Sequence, residues 1–409
     1  MAKFYNQNIL KIPMDNLLLE NGYILKREKC SKNHRTLTNQ NNDLIIITRA
    51  NNEHYLYFNP NDEKDKGNIY SFCKNRGIKL DELLKKKDLS QLNHNINPSS
   101  IDKKKIELIA QFNEANLIKP NNHFSKNRLI DVEILTQYNL KQDKMKNILS
   151  PTFMLEKAPQ INYVGINQIG YFSYLQSPLK KDKEGKTYQK PIKQLCYGSK
   201  GLEILKAHTS KKEDIQNIII SESIIDSLSL LELKGYIPNN TLLCSTNGQI
   251  SLNQKEILKY FADNFKDSQI ILAFDNDEAG KSFTQECKKI FSQIKNTQIT
   301  ILKPILKDFN DDLNACKLLN LSKNFTLKEL KDKIDKCTSN YINNFLKKEK
   351  ILNPFSFQKR AKEAIMMNKI LNHLKPKLEN YIDFTKINLS LEKMNALENK
   401  IKKNKHNGR

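Results

Sequence analysis

Acidic residues recur at three places where a short apolar run has just ended. Glu222 closely follows Ile218-Ile219-Ile220, with Asp226 four residues on. Asp275 and Asp277 follow the run from Gln269 to Phe274, and Lys307-Asp308-Phe309-Asn310-Asp311-Asp312 comes shortly after the run from Ile299 to Leu302. Residues four apart share a helix face, so Glu222 and Asp226 project together if a helix begins there. Carboxylates brought to one rim repel each other and, left unpaired, raise one another's pKa. A hard divalent cation removes that conflict, because Mg²⁺ takes its oxygens from a few carboxylates, waters and substrate phosphates. A pair of such ions can activate an attacking oxygen and stabilise a leaving one. The residue types therefore point to metal-dependent phosphodiester chemistry. Each piece alone has a structural reading, Glu-x-x-x-Asp as a solvated helix face and Asp-x-Asp as a helix cap. The three together, each at a strand end, favour a site.

The elements that must position them follow from periodicity. Over residues 214–320, apolar runs at 218–220, 241–244, 269–274 and 299–302 alternate with amphipathic helical patterns at 224–234, 252–265 and 279–294. Short buried strands alternating with helices predict a parallel α/β sheet. In such a sheet functional residues gather beyond the carboxyl ends of the strands, where all three acidic stretches fall. Four regions are expected. Residues 1–87 mix strand-like runs with helices, and a polar linker follows at 88–105. Residues 106–212 form a middle region in which the charged stretch 180–186 makes a hairpin tip around Gly185. Residues 213–320 hold the parallel sheet. Residues 321–409 are mostly helical and carry 21 Lys and Arg against 9 Asp and Glu.

The acidic set resembles the Toprim domain shared by bacterial primases, topoisomerases and some nucleases. Glu222-Ser223-Ile224-Ile225-Asp226 matches its glutamate motif and Asp275-Asn276-Asp277-Glu278-Ala279-Gly280 its Asp-x-Asp motif. Lys307-Asp308-Phe309-Asn310-Asp311 looks like the third acidic motif of primase-type members. The resemblance covers about 214–320. It implies that Glu222 is the general acid/base and that Asp226, Asp275, Asp277 and Asp308 hold or orient Mg²⁺ or Mn²⁺, with Asp311 a further metal residue and Lys307 beside them on nucleic acid. Two positions depart from the pattern: Ser223 where primases commonly carry glycine, and Asn310 where an acid is common. Residues 1–87 look like a primase zinc ribbon without its metal, similar to the amino-terminal part of primase-like Toprim proteins of plasmids and conjugative elements. The fold implied is α/β: a Toprim parallel sheet flanked by helices, a small α+β zinc-ribbon-like amino-terminal domain and a helical carboxyl-terminal tail.

Cys30-x3-His34 and Cys73 lack the second close ligand pair that structural zinc requires, so zinc is not expected. Tyr55 and Tyr57 share one face of a strand, and within a basic domain they suit stacking of unpaired bases or, alternatively, a core. Gly198-Ser199-Lys200-Gly201 allows either backbone approach to a phosphate, with Lys200 supplying charge, or an ordinary turn. The chain has 409 residues, 68 Lys and Arg against 45 Asp and Glu, and a formal net charge of +23. That balance implies a polyanionic partner, nucleic acid first, unless it only reflects a Lys- and Asn-rich composition. Seven scattered cysteines without a C-x-x-C pair fit a reducing cytoplasm, and neither a signal peptide nor a membrane span is expected. The leading function is primer synthesis on single-stranded DNA from nucleoside triphosphates, in a plasmid or mobile element and with a replicative helicase or relaxase as a possible partner. A metal-dependent nuclease and a non-catalytic nucleic-acid-binding accessory remain the alternatives.

Overall fold

In the computed structural model, the residues described are 7–50, 53–84, 95–96, 101–158, 163–294, 297–348 and 354–406. Of the expected linker, residues 88–94 and 97–100 lie outside these, as do 85–87 at the end of the first region. Chain contacts divide the molecule into two units that alternate along the sequence. One comprises Met1–Asn116, Lys141–Leu202 and Ile250–Tyr260; the other comprises Leu117–Leu140, Glu203–Gln249 and Phe261–Arg409. The expected middle region is thus shared between them.

The first unit begins with α1 (Gln7–Leu10) and α2 (Met14–Glu20). A five-stranded antiparallel sheet follows: β1 (Ile24–Leu25), β2 (His34–Thr38), β3 (Leu44–Arg49), β4 (Tyr55–Asn59) and β5 (Asp62–Gly67), in that spatial order. Next come α3 (Ile69–Arg76), α4 (Leu80–Leu84) and α5 (Ile101–Glu114), which starts inside the expected linker. Asn68 caps α3 by accepting the Tyr70 and Ser71 amides, and Gly77 ends it at φ 66°, a left-handed conformation that glycine adopts without penalty. Leu17, Leu18 and Phe72 share a core with Leu37, Ile45, Ile47, Tyr55 and Tyr57. At roughly 1.5–3 kcal/mol per fully buried large apolar side chain, this core is what holds so small a sheet. The proposed stacking role of Tyr55 and Tyr57 is corrected here: both are about 1–2% exposed. Their face is the inner one, and the alternate face carries Leu56 and Phe58, 39% and 40% exposed.

After β6 (Asn116–Leu117), α6 (His123–Asn127) and α7 (Val132–Gln137), the first unit resumes with β7 (Lys141–Gln142), β8 (Ile148–Ala158), β9 (Tyr163–Lys181) and β10 (Thr187–Gly198). The last three pair antiparallel, and α5 lies on them through Phe112 against Tyr171. The expected hairpin tip is present, with Gly185 at φ 84°.

The second unit adds β11 (Leu202–Leu205, from Glu203 on), a strand the alternation did not predict, to the four strands it did predict: β12 (Asn217–Ser221), β13 (Thr241–Ser245), β14 (Gln269–Ala273) and β15 (Gln298–Ile301). Their order is β11-β13-β12-β14-β15, parallel except for β11. The helices are α8 (Ile224–Lys234), α9 (Leu252–Asn264), whose residues up to Tyr260 belong to the first unit, and α10 (Glu278–Phe291), then α11 (Phe309–Leu319), α12 (Leu327–Cys337), α13 (Asn344–Lys348), α14 (Pro354–Leu378) and α15 (Thr385–His406). A π-helical turn spans Thr338–Asn343. The carboxyl-terminal helices are no loose tail. Leu330, Ile334, Leu371, Leu374 and Leu378 join Leu306, Ala315 and Leu319 in one core, which ties α14 to the helix that follows the third acidic motif. Among the described residues no helix is long and apolar enough to cross a membrane.

Candidate metal-binding carboxylate site

The strand order reverses at β12. The chain steps from β12 to β13 on one side and then returns to β14 on the other. Crevices form at such switch points, beyond the carboxyl ends of the strands. Ser221 pairs with Ala273 at the last rung, so Glu222 and Asp275 stand immediately past the ends of two adjacent strands. The backbone of Glu222 is fixed from β13: its carbonyl accepts Ser245 Oγ and the Asn247 amide, both at 2.9 Å. Its side chain reaches toward Gly248, where an added Cβ would lie 3.4 Å from Oε1.

Each acidic motif also starts a helix. Ser223 caps α8, accepting the Asp226 amide and donating its hydroxyl to Asp226 Oδ2. Glycine at this position would supply neither bond, so the departure from the usual pattern has a local purpose. Asp277 caps α10 through the Gly280 amide at 2.9 Å, and Asp308 caps α11 through the Asp311 amide at 2.7 Å. The capping and functional readings are therefore compatible, since a capping carboxylate uses one oxygen on the helix amide and keeps another. Gly280 is required for a different reason. A Cβ there would sit far inside van der Waals contact with the carbonyl oxygen of Asp275, so only glycine lets α10 begin this close to the loop.

These motifs converge electrostatically. Burial, then the charges of Asp226, Glu222 and Asp308, pushes Asp275 up from 3.8 to about 8. Asp226, buried and beside Asp308, is likewise raised, chiefly by desolvation. Asp308 is raised by burial and by Asp311. Lys307 stands among Asp275, Asp308, Asp277 and Glu222. Their fields outweigh the cost of its partial burial and raise its pKa. Asn276 donates its amide to the Lys307 carbonyl at 2.7 Å, which joins the second motif to the third. Among the described residues no three His, Cys, Asp or Glu side chains already close around one point as a finished metal centre. The set is gathered but open. Its donors are all carboxylate oxygens, and their repulsion is the charge pattern a hard divalent cation relieves, so the residues fit Mg²⁺ or Mn²⁺.

Not every expected metal residue has the same place. Asp226 already uses both oxygens, one on Ser223 and one on the Asn310 amide at 3.3 Å, and so links α8 to α11. Asp311 is paired with Lys377 of α14 at 2.8 Å, an unforeseen partner from the carboxyl-terminal helices. Sequence reading also missed Asp312. Its carboxylate accepts the Ile305 and Leu306 amides at 2.8 and 2.9 Å and folds the loop that presents Lys307 and Asp308. Burial raises it to about 6. Asn310, the second departure, donates Nδ2 to the Arg128 carbonyl at 2.8 Å and to Ser229 Oγ at 3.0 Å, which a carboxylate could not do. The run of acids in the sequence hinted at Asp312, but nothing in sequence pointed to Arg128 or Lys377.

In the first unit, Lys200 is half-buried in a segment whose glycines are explained by packing. A Cβ on Gly198 would strike the backbone of Ile169, and one on Gly201 the backbone of Phe153. Cys30 Sγ lies 3.2 Å from the Lys26 carbonyl, His34 Nδ1 lies 2.8 Å from Ser31 Oγ, and Cys73 is buried in the core.

Residues 219–313 match the protein family described as Toprim-like, in agreement with the strand order and the acidic motifs just described. A search of curated proteins gives no match. Among solved structures, the primase fragment of the bacteriophage T7 primase-helicase protein is similar at 16% identity over 52% of this chain and 81% of that one. Its TM-score is 0.24, too slight a likeness to carry an argument.

Proposed function

We propose that the chain is a metal-dependent nucleic-acid enzyme of the primase kind, joining nucleoside triphosphates into short primers on single-stranded DNA. The observation that carries this reading is the set of mutually repelling carboxylates Glu222, Asp226, Asp275 and Asp308 at the switch point of a Toprim-like segment. When bound, Mg²⁺ or Mn²⁺ would supply charge neutralisation to the reacting phosphate oxygens. The chain's own residues do the remainder. Asp275, Asp277 and Asp308 would offer carboxylate oxygens, while Asp226 ties α8 to the start of α11 through the Asn310 amide, next to Asp308. Glu222, at the open side near Gly248, is suited to take or return a proton at its carboxylate. Lys307, kept charged by the carboxylates around it, is suited to a phosphate.

The net charge of +23 supports a nucleic-acid partner. For unpaired bases the available face of the amino-terminal sheet is that of Leu56 and Phe58, not the buried tyrosines. Service to a plasmid or mobile element, a cytoplasmic location and a helicase or relaxase partner belong to the same proposal.

The test is template-dependent incorporation of labelled nucleotides with Mg²⁺ or Mn²⁺. Incorporation abolished by Asp275→Ala with DNA binding retained supports primer synthesis. Metal-dependent cutting without incorporation replaces it with a nuclease. DNA binding indifferent to Mg²⁺ and to Glu222→Gln, with neither activity, replaces it with a non-catalytic accessory.

A further inference from the structure

The strands β9 and β10 run 19 and 12 residues, far longer than the sheet core they leave. At about 3.3 Å per residue, β9 alone spans roughly 60 Å. Its inner part is anchored: Ile169, Tyr171, Phe172, Tyr174 and Leu175 are buried. Beyond Leu175 the character changes. Residues 176–181 are exposed without alternation, and of the facing residues 187–193, which pair with them through two register shifts, Tyr188 and Ile192 alone are half-buried, so most of the ribbon meets solvent. A two-stranded ribbon without an apolar cover is marginal in water, and folding alone gives no reason to extend it so far.

What this outer part carries is charge. Lys180, Lys181, Lys183, Lys186, Lys190 and Lys193 are all exposed. The acids between them are Asp182 and Glu184. Asp182 is committed to the turn, where it accepts the Glu184 and Lys186 amides at 3.0 and 2.8 Å, and it is also paired with Arg27 at 3.0 Å. The lysines are left in excess.

We infer that the outer half of the β9–β10 ribbon is an arm that grips a nucleic-acid duplex through its phosphates. A two-stranded ribbon fits the roughly 12 Å width of a B-form major groove. Binding to single strands relies instead on stacking platforms, and Tyr188 is the one aromatic side chain between residues 176 and 193. The inference concerns the first unit alone and holds whichever phosphodiester reaction the carboxylates perform.

The experiment is a titration of the full chain with a short labelled duplex, and with the same sequence single-stranded, over a range of salt. Replacing all six lysines by Gln should weaken duplex binding at about 0.1 M salt by tenfold or more and flatten the salt slope by roughly 3–5. The six-Arg variant should keep both affinity and slope. Unchanged duplex affinity and slope in the Gln variant, or equal losses for duplex and single strand, overturn the inference. If the Gln variant fails to fold, lysine acetylation of the unaltered protein decides. These six side chains should be protected by saturating duplex and not by single strand, and continued reactivity under duplex overturns the inference.

Discussion

Replacing Asp275 by Asn should stabilise the metal-free protein and remove its response to divalent ions. The Asp275 carboxyl ionises at 3.8 in an unconstrained chain and at about 8 in the fold, because burial and then Asp226, Glu222 and Asp308 oppose its charge. Between those values the folded state binds a proton that the unfolded state has lost. Stability therefore falls as pH climbs from about 4 to about 8. At face value a shift of this size is worth roughly 6 kcal/mol at the upper end. Asp275 is only partly buried, and solvent screening reduces this to about 1–2 kcal/mol. Asn keeps the shape and carries no charge. The variant should thus be about 1–2 kcal/mol more stable than the parent near pH 8 in chelator, and nearly equal to it near pH 5. Mg²⁺ should stabilise the parent near pH 8 and do little for the variant. The chain has no tryptophan, so urea unfolding is best followed by far-UV circular dichroism. A variant no more stable than the parent at high pH without metal, or an equal gain from Mg²⁺ in both proteins, would refute the idea that this carboxylate is held against its neighbours' charge.

Three other perturbations test the supports of the site and of the amino-terminal sheet. Gly280→Ala forces a methyl into the Asp275 carbonyl. It should cost about 1–3 kcal/mol in a denaturant titration and lower activity with it, since the loop must retreat. Asn310→Asp loses the bonds to Arg128 and Ser229 and sets a further charge beside Asp226. A loss of roughly 3 kcal/mol is expected, smaller near pH 5 than near pH 8 because protonation relieves it. Arg76→Ala leaves Asp43 and Asp65 without the guanidinium that bridges them at 2.6 and 2.8 Å. Against the cost of burial, hydrogen bonds from Arg76 hold both carboxyls below the usual range. The parent's network therefore stabilises above about pH 4 and weakens as acid protonates these groups, and the variant should lose about 3–5 kcal/mol near neutrality and little of that in strong acid. Acid titration of circular dichroism on both proteins measures this.

Much of the second unit could be read from residues alone. Apolar runs of three to six separated by amphipathic stretches have few ways to bury themselves other than a helix-flanked parallel sheet. Acids at the run ends, Glu222, Asp275, Asp277 and Asp308 among them, must then lie towards the carboxyl rim. Local order also fixed the caps, since Ser223, Asp277 and Asp308 each meet the amide three residues on. Period-two alternation in β4 placed Tyr55 and Tyr57 together on one face, but it could not say which face. That choice depended on α2 and α3, whose apolar sides seal the tyrosines in and leave Leu56 and Phe58 outside. The Lys377 pair with Asp311 and the Arg128 carbonyl bonded to Asn310 join residues far apart in the chain. Spacing carries no information about such contacts. Sequence thus determined which groups could do chemistry and where each local turn begins, because those follow from neighbours along the chain. Tertiary structure decided which charges and donors each carboxylate meets, because only packing between distant segments brings them to a buried group.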